Sequence, residues 1–373
     1  MADARQFALA SPPADGVTRV AWLSPTQLVA SSWDGSVTLY DAAGNARLHA
    51  FTRAGAVLDV AAAGGAAVVA GGLDMAVSLH DFASGATGVL GSHAAAVRCV
   101  EFSRARGAAL SGSWDKSVRM WDARAGGGAG APPVGAAALP DRVHAMALLG
   151  GDALIVAAAD QSVHFFDLRK LAGGGGAAAE TRESSLKHQT RVVRAAPDAR
   201  GWASGSIEGR VAIDFVDAAH EGKFAFKVRR ARARAVGGGR GKCQRRARLT
   251  YPPPPPVPLP WQCHRLKMPN GDEKIYPVNA IAYHPTHGTF VTGGADGTVC
   301  SWDGAAKKRI VALPTFGAPV TSVAFSDDGA LLAVAASYDW SAGDPAALPA
   351  PPPADAIYIR TVAPAEVAPK PRA

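Results

Sequence analysis

SSWDGSVTLYD (Ser31–Asp41) and GSWDKSVRMWD (Gly112–Asp122) are two copies of one phrase. In each, an acid is followed three residues later by Val, then by bulky residues and a second Asp. The phrase returns as GLDMAVSLHD (Gly72–Asp81), AADQSVHFFD (Ala158–Asp167) and ADGTVCSWD (Ala295–Asp303), and SIEGRVAIDF (Ser206–Phe215) fits with Glu208 in the acid position. Each copy reads as the end of one strand, a tight turn at the acid, and a second strand of alternating apolar residues.

The acids at 34, 74, 115, 160 and 208 are 40, 41, 45 and 48 residues apart. That period, ~40 to 45, is the length of a WD-type propeller blade. A seventh unit begins at Val320–Trp340 and resumes at Ala356–Val362 after a Pro/Ala-rich loop. The expected fold is therefore all-β, a seven-bladed WD-repeat propeller spanning residues 1–373. The stretch before Val17 is free to pair with the last blade, closing the ring and removing its open edge. A β-sandwich accommodates the same strand pairs but gives no reason for one acid-turn phrase to recur. Gly126–Gly130 and Gly173–Gly176 read as flexible loops, and 363–373 as a flexible tail.

One interval breaks the period. From Glu208 to Asp296 there are 88 residues with a blade phrase only at the end. Inside it, 228–262 carries eight Arg and one Lys with no acid, ending in PPPPPVPLP (Pro252–Pro260) and Trp261–Gln262. The net charge of +8 resides there, because the other 30 basic and 31 acidic residues nearly cancel. Without those residues FAFK (Phe224–Lys227) joins CHRL (Cys263–Leu266) in one strand-like run, and the interval shrinks to 53. The segment starts at a Val codon, GTN, and ends at a Gln, which CAG encodes. Leu249–Thr250 is readable from a CTGAC branch sequence and the Pro run from a pyrimidine tract. Residues 228–262 thus read as a retained in-frame intron. The other reading is a disordered Arg/Pro-rich loop.

Chemistry-bearing motifs are absent: no GxSxG, GxxxxGK[ST], HExxH, GxGxxG or CxxC occurs. The expectation is a protein without catalytic activity, cofactor or metal. His93, Asp115 and Trp121 read as groups that lock a blade turn. Cys99, Cys243, Cys263 and Cys300 form no paired spacing, and neither a leader nor a membrane-length apolar run is present, so a soluble intracellular protein is expected. The partner-binding candidates are residues that a blade does not require. Trp33 and Trp114 precede turn acids on the rim, where a broad aromatic can anchor a partner. Arg210, Lys227, His264 and Arg265 form a cationic set around the fifth blade, suited to acidic or phosphorylated peptides.

SSWDGSVTLYD, GSWDKSVRMWD, RESSLKHQTRVVRA (Arg182–Ala195), SIEGRVAI, FAFK with CHRL, and IYPVNAIAYHP (Ile275–Pro285) together resemble the spindle-checkpoint propellers of the Bub family, those of the third Bub protein. The likeness covers nearly the whole chain apart from the insert and the Gly/Pro/Ala-rich loops. It implies an adaptor at the nucleus and kinetochore, also cytoplasmic, acting as a monomeric propeller within a complex. The implied partners are a checkpoint kinase and its pseudokinase-like relative, bound through their GLEBS motifs, and a kinetochore scaffold phosphorylated on Met-Glu-Leu-Thr repeats. No direct nucleic-acid or membrane partner is implied. By motif, Trp33, Arg210, Lys227 and Arg265 match the family's contact positions. The nuclear-pore RNA-export propeller, which also binds a GLEBS motif, is similar, and ASYDWSAGD (Ala336–Asp344) leans toward it. The short N-terminus, the near-neutral body and IYIRTV with its Lys/Pro tail lean away.

Overall fold

The turn acids hold their own turns. Asp34 accepts from Ser36 N at 2.8 Å, Asp115 from Ser117 N at 3.0 Å, Asp160 from Ser162 N at 3.0 Å and Asp296 from Thr298 N at 3.1 Å. The residue after each acid lies in the left-handed region: Gly35 at φ 82°, Met75 at 63°, Lys116 at 65°, Gln161 at 66°, Gly209 at 69° and Gly297 at 72°. In the Asp34, Asp74, Asp160 and Asp296 turns the N–H of that residue donates to the carbonyl three residues back, as from Gly35 to Ser32 at 3.2 Å, so the phrase marks three-residue hairpin loops whose last residue is left-handed.

A computed structural model describes residues 5–124, 128, 130–216, 224–225, 261–267, 272–341, 343 and 353–370. Within them seven antiparallel blade sheets follow in chain order, with a two-stranded sheet, Arg265–Lys267 and Glu273–Ile275, between blades five and six. Blade one runs from Val17 to Thr52, blade two from Val57 to Ser92, blade three from Val97 to Ala138, and blade four from Val143 to Glu183. Blade five starts at Thr190 and blade six covers Val278 to Ala312. Blade seven joins Val320–Phe325, Leu331–Ala336 and Ala356–Thr361 to the N-terminal strand Gln6–Ala8. That strand pairs Gln6 with Arg360, Phe7 with Ile359 and Ala8 with Tyr358, the ring closure expected from the sequence.

Alternation along each strand sends alternate side chains to opposite faces, so every blade presents apolar residues to both neighbours. The result is seven hydrophobic clusters, each shared by two consecutive blades. Leu110 and Met146 join blades three and four, Val69 and Trp121 join two and three, and Tyr40 and Ile357 join one to seven across the closure. Close approach between blades explains glycine on the second strands. A Cβ on Gly71 would lie 2.5 Å from Val97, and one on Gly293 2.4 Å from Val320.

The expected flexible tail at 363–373 is corrected for residues 363–370. Pro364–Val367 forms a helical turn, Val367 is buried, its carbonyl accepts from Thr289 Oγ1 at 2.7 Å, and Lys370 N donates to Asp303 at 3.0 Å. Arg360, also buried, donates to Glu366 at 2.6 Å.

Turn strain is open to test. At Gly209 a Cβ would meet the His264 and Tyr276 carbonyl oxygens, each at 2.8 Å, in a left-handed backbone. Gly209→Ala is expected to cost on the order of 2 kcal/mol. Gln161→Gly, at an exposed left-handed position, is expected to gain about 0.5 kcal/mol. Chemical denaturation of both variants measures the two signs.

A second test concerns acid. His80 is buried against Phe51, 2.8 Å from Ser78 Oγ, and burial, then Arg53, pushes its pKa down to about 4. A folded-state value below the unfolded one means that the unfolded chain binds the extra proton. Stability is therefore full above the unfolded value of 6.5 and falls as pH drops toward 4. This group alone contributes about 3 kcal/mol of that loss. His80→Asn is expected to flatten the decline in melting temperature between pH 6.5 and 4.

Candidate functional site

Every inner strand breaks register one residue after it begins, and that of blade two breaks again between Ala62 and Gly64. The breaks lie between Val17 and Arg19, Val57 and Asp59, Val97 and Cys99, Val143 and Ala145, Thr190 and Val192, Val278 and Ala280, and Val320 and Ser322. The extra residues are Thr18, Leu58, Arg98, His144, Arg191, Asn279 and Thr321. A bulge frees one residue from the alternation and re-aims its side chain. All seven line the central opening of the ring.

This ring of bulge residues is not symmetric. Blades three, four and five contribute Arg98, His144 and Arg191, whereas blades one, two, six and seven contribute Thr, Leu, Asn and Thr. No ion pair within 4 Å engages Arg98 or Arg191 among the described residues. The acids beneath give little compensation. Burial pushes the Glu101 carboxyl up to about 8, and its neighbour in ion-pair range among the described residues is Arg194 at 3.9 Å, not a bulge cation. Asp59 directs its oxygens to Val60 N and Val100 N, each at 3.0 Å, and to Arg19 at 3.6 Å. At Arg191, desolvation by the surrounding wall and then repulsion from Arg98 lower the pKa from 12.5, with Asp339 opposing, and the group stays cationic at neutral pH. Burial, then Arg98, likewise lowers His144, which is neutral there.

Aromatic side chains complete the opening. Trp33, Trp114 and Trp340 are 49%, 39% and 59% exposed around a concavity of about 290 Å³ that also includes Arg98, Arg191 and Tyr338. Backbone bonds fix the first two: Trp33 N donates to Gly16 O and Trp114 N to Ala96 O, both at 3.0 Å. A second recess shares Arg98 and Trp114 and continues to Arg142, His144, Gln161 and Gln189. Trp33 and Trp114, expected on the rim, line the first concavity beside the bulge residues. Arg98, Arg191, Arg142, Tyr338 and Trp340 are additional. Their sequence signal is position: the bulge cations each follow the Val or Thr that opens an inner strand.

The fifth-blade cations are arranged differently from the expectation. His264 is a correction: it is 0% exposed. Its Nδ1 is 2.9 Å from Asp296 and its Nε2 3.0 Å from Thr292 Oγ1, which also accepts from Trp302 Nε1 at 3.0 Å. This repeats the arrangement in blade three. There His93 is 2.9 Å from Asp115 and 2.7 Å from Ser111 Oγ, which accepts from Trp121 Nε1 at 2.7 Å. Both networks lock turns, and His264 cannot touch a partner while the blade is folded. Arg265, 9% exposed at its side chain, is directed to the Glu208 carbonyl at 2.9 Å, the Glu208 carboxylate at 3.3 Å and Glu273 at 2.9 Å. Arg210 is 3.4 Å from Glu208, and its buried Nε has no hydrogen-bond partner among the described residues. Glu208 therefore gathers Arg210 and Arg265 together while offsetting their charge. Lys227 lies outside the described residues. No group of three His, Cys, Asp or Glu capable of holding a metal occurs among the described residues.

A WD domain, G-beta repeat model matches residues 9–41, 85–122, 268–303 and 310–342. The chain is similar to mitotic checkpoint protein BUB3.1 of Arabidopsis thaliana, 39% identical over 368 residues that cover 98% of this chain and 95% of the relative. It is also similar to mitotic checkpoint protein bub-3 of Caenorhabditis elegans, at 35% with 92% and 89% covered. The mRNA export factor GLE2 of Chaetomium thermophilum follows at 33%, with 90% and 85% covered. Among solved structures, U3-55K superposes with a TM-score of 0.72 over 96% of this chain and 99% of that one, at 16% identity, a likeness of fold alone.

The buried network separates structure from binding. His264→Gln is expected to cost about 3 kcal/mol of stability, since it strips Asp296 and Thr292 of a shared buried partner. Thermal denaturation reads that loss, and at temperatures where the variant is folded its peptide affinity is expected to equal that of the parent.

Proposed function

Because the chain belongs to the WD40-propeller family of the Bub3 mitotic checkpoint proteins, we propose that it is a non-catalytic adaptor of the spindle checkpoint, binding peptides across the central opening. The observation that carries this reading is the pair of bulge cations, Arg98 and Arg191, neither in an ion pair within 4 Å among the described residues, beside Trp33, Trp114 and Trp340. A guanidinium without an acid partner offers charge-assisted hydrogen bonds to carboxylate or phosphate oxygens. An exposed indole beside it offers a large apolar surface at low entropic cost. The ligand that fits is an extended or helical segment bearing an acidic group a few residues from an apolar side chain. Glutamates of a GLEBS motif and phosphothreonine of a Met-Glu-Leu-Thr repeat both have that chemistry. The partners are then a checkpoint kinase, its pseudokinase-like relative and a phosphorylated kinetochore scaffold, and the place of action is the nucleus and the kinetochore, with a cytoplasmic pool. Arg210 and Arg265 add little to this charge, because Glu208 and Glu273 engage them.

One observation favours a second reading, an RNA-export adaptor bound to a nucleoporin GLEBS motif: the GLE2 relative covers 90% of the chain. Pull-down from dividing cells separates the two. Recovery of checkpoint kinases supports the first, and recovery of a nucleoporin with messenger RNA in their place rejects it.

Calorimetric titration with a GLEBS peptide and a phosphorylated Met-Glu-Leu-Thr peptide tests the site. Arg191→Glu is expected to weaken the peptide whose acid it meets by about 10- to 100-fold, from charge-assisted bonds of ~1.5–3 kcal/mol. Trp33→Ala is expected to lose about tenfold. Unchanged affinity for both peptides in both variants rejects the central opening as the binding surface.

A further inference from the structure

Blade five carries its outer strand in two pieces. Phe224 pairs with Ile213 and Ala225 with Ala212, and then Trp261 pairs with Val211 and Gln262 with Arg210. Cys263 N follows at once, donating to Gly209 O at 2.8 Å. Two rungs thus separate Ala225 from Cys263, and Trp261 and Gln262 fill them. In the sequence, Ala225 is followed by Phe226 and Lys227, which are again two residues. A chain lacking 228–262 places Phe226 opposite Val211 and Lys227 opposite Arg210, and reaches Cys263 on the same rung. The count matters: one residue more or fewer exchanges the faces of all that follows, including the turn-locking His264, unless a bulge takes it up, as it takes up one extra residue in the outer strands of blades one, two and six.

We propose that residues 228–262 are a removable insert seated at a register-neutral point, the product of an unspliced in-frame segment, and that the working form of the chain lacks it. The composition agrees, since nine cations and no acid fall within the segment and the remainder is close to neutral. Removal also changes the residue opposite Arg210 from Gln262 to Lys227. It sets a cation on that rung of blade five, a consequence that rests on the peptide-binding reading above.

Three deletions test the register. Δ228–262 keeps Phe226–Lys227, Δ226–260 keeps Trp261–Gln262, and Δ228–261 leaves one residue too many. The first two are expected to melt at or above the temperature of the full chain, because a shorter connection closes at lower entropic cost. The third is expected to melt below both. A Δ228–262 chain that melts no higher than Δ228–261 overturns the shared register, and intact Δ226–260 would show that the fault lies with Phe226–Lys227. Amplification of transcripts across codons 227 and 263 tests the origin: a dominant product shorter by the 35 codons supports it, and transcripts retaining the segment throughout overturn it. Titration with the phosphorylated Met-Glu-Leu-Thr peptide compares the two in-register forms. Several-fold tighter binding by Δ228–262 supports the added cation, and equal affinities overturn that consequence while leaving the register result intact.

Discussion

Three residues, Gln6–Ala8, hold the architecture closed by pairing with Tyr358–Arg360. A propeller blade has no core of its own, because its apolar side chains face the blades on either side. All seven clusters here are shared between neighbours, so every blade depends on the ring being complete. The closure is reinforced from the far end of the chain. Arg360, opposite Gln6, donates to Glu366 at 2.6 Å, and Arg5 lies 3.3 Å from the same carboxylate. One carboxylate thus joins the N-terminal strand, the last strand of blade seven and the helical turn of the tail, which itself docks on blade six through Thr289.

Closure is also what makes a site. The bulge at the start of an inner strand is a local event, and a single bulge residue in an open sheet faces solvent with no partner. Seven of them on a closed ring converge on one opening. The chemistry of that opening is then set by which residue follows seven strand-opening positions. Placing Arg98 and Arg191 there, with no ion pair within 4 Å to either among the described residues, concentrates positive potential where a peptide can reach it.

Much of this was legible in the sequence. The acid-turn phrase is readable because its interactions are local: each of the five Asp accepts from the backbone two residues on, and the next residue takes a positive φ, whatever the distant contacts. Trp33 and Trp114 were legible as surplus, since no hairpin needs an indole before its turn acid. His264 misled for the opposite reason. Its partner Asp296 is 32 residues away in another blade, so a buried turn-lock reads in sequence as one more surface cation. Arg98 and Arg191 were passed over because strand alternation carries no mark of a bulge. The tail was misjudged because Pro and Ala signal flexibility unless something buries them, and Val367 supplies that burial.

The remaining tension lies in blade five, where local and global requirements meet. The Glu208 turn differs from the others in using the longer acid, and that acid reaches Arg210, Arg265 and, at 3.6 Å, His188. Arg265 arrives from a hairpin formed by Arg265–Lys267 and Glu273–Ile275, which starts only after the outer strand has been completed. The position of Arg265 is therefore set by the rung on which Cys263 lands, and through His264 so is the lock on the Asp296 turn of blade six. An error in the outer strand of blade five would pass directly into the next blade. The same coupling explains how a 35-residue interruption can leave the ring intact: the ladder constrains the residues on its rungs and places no limit on what lies between two of them.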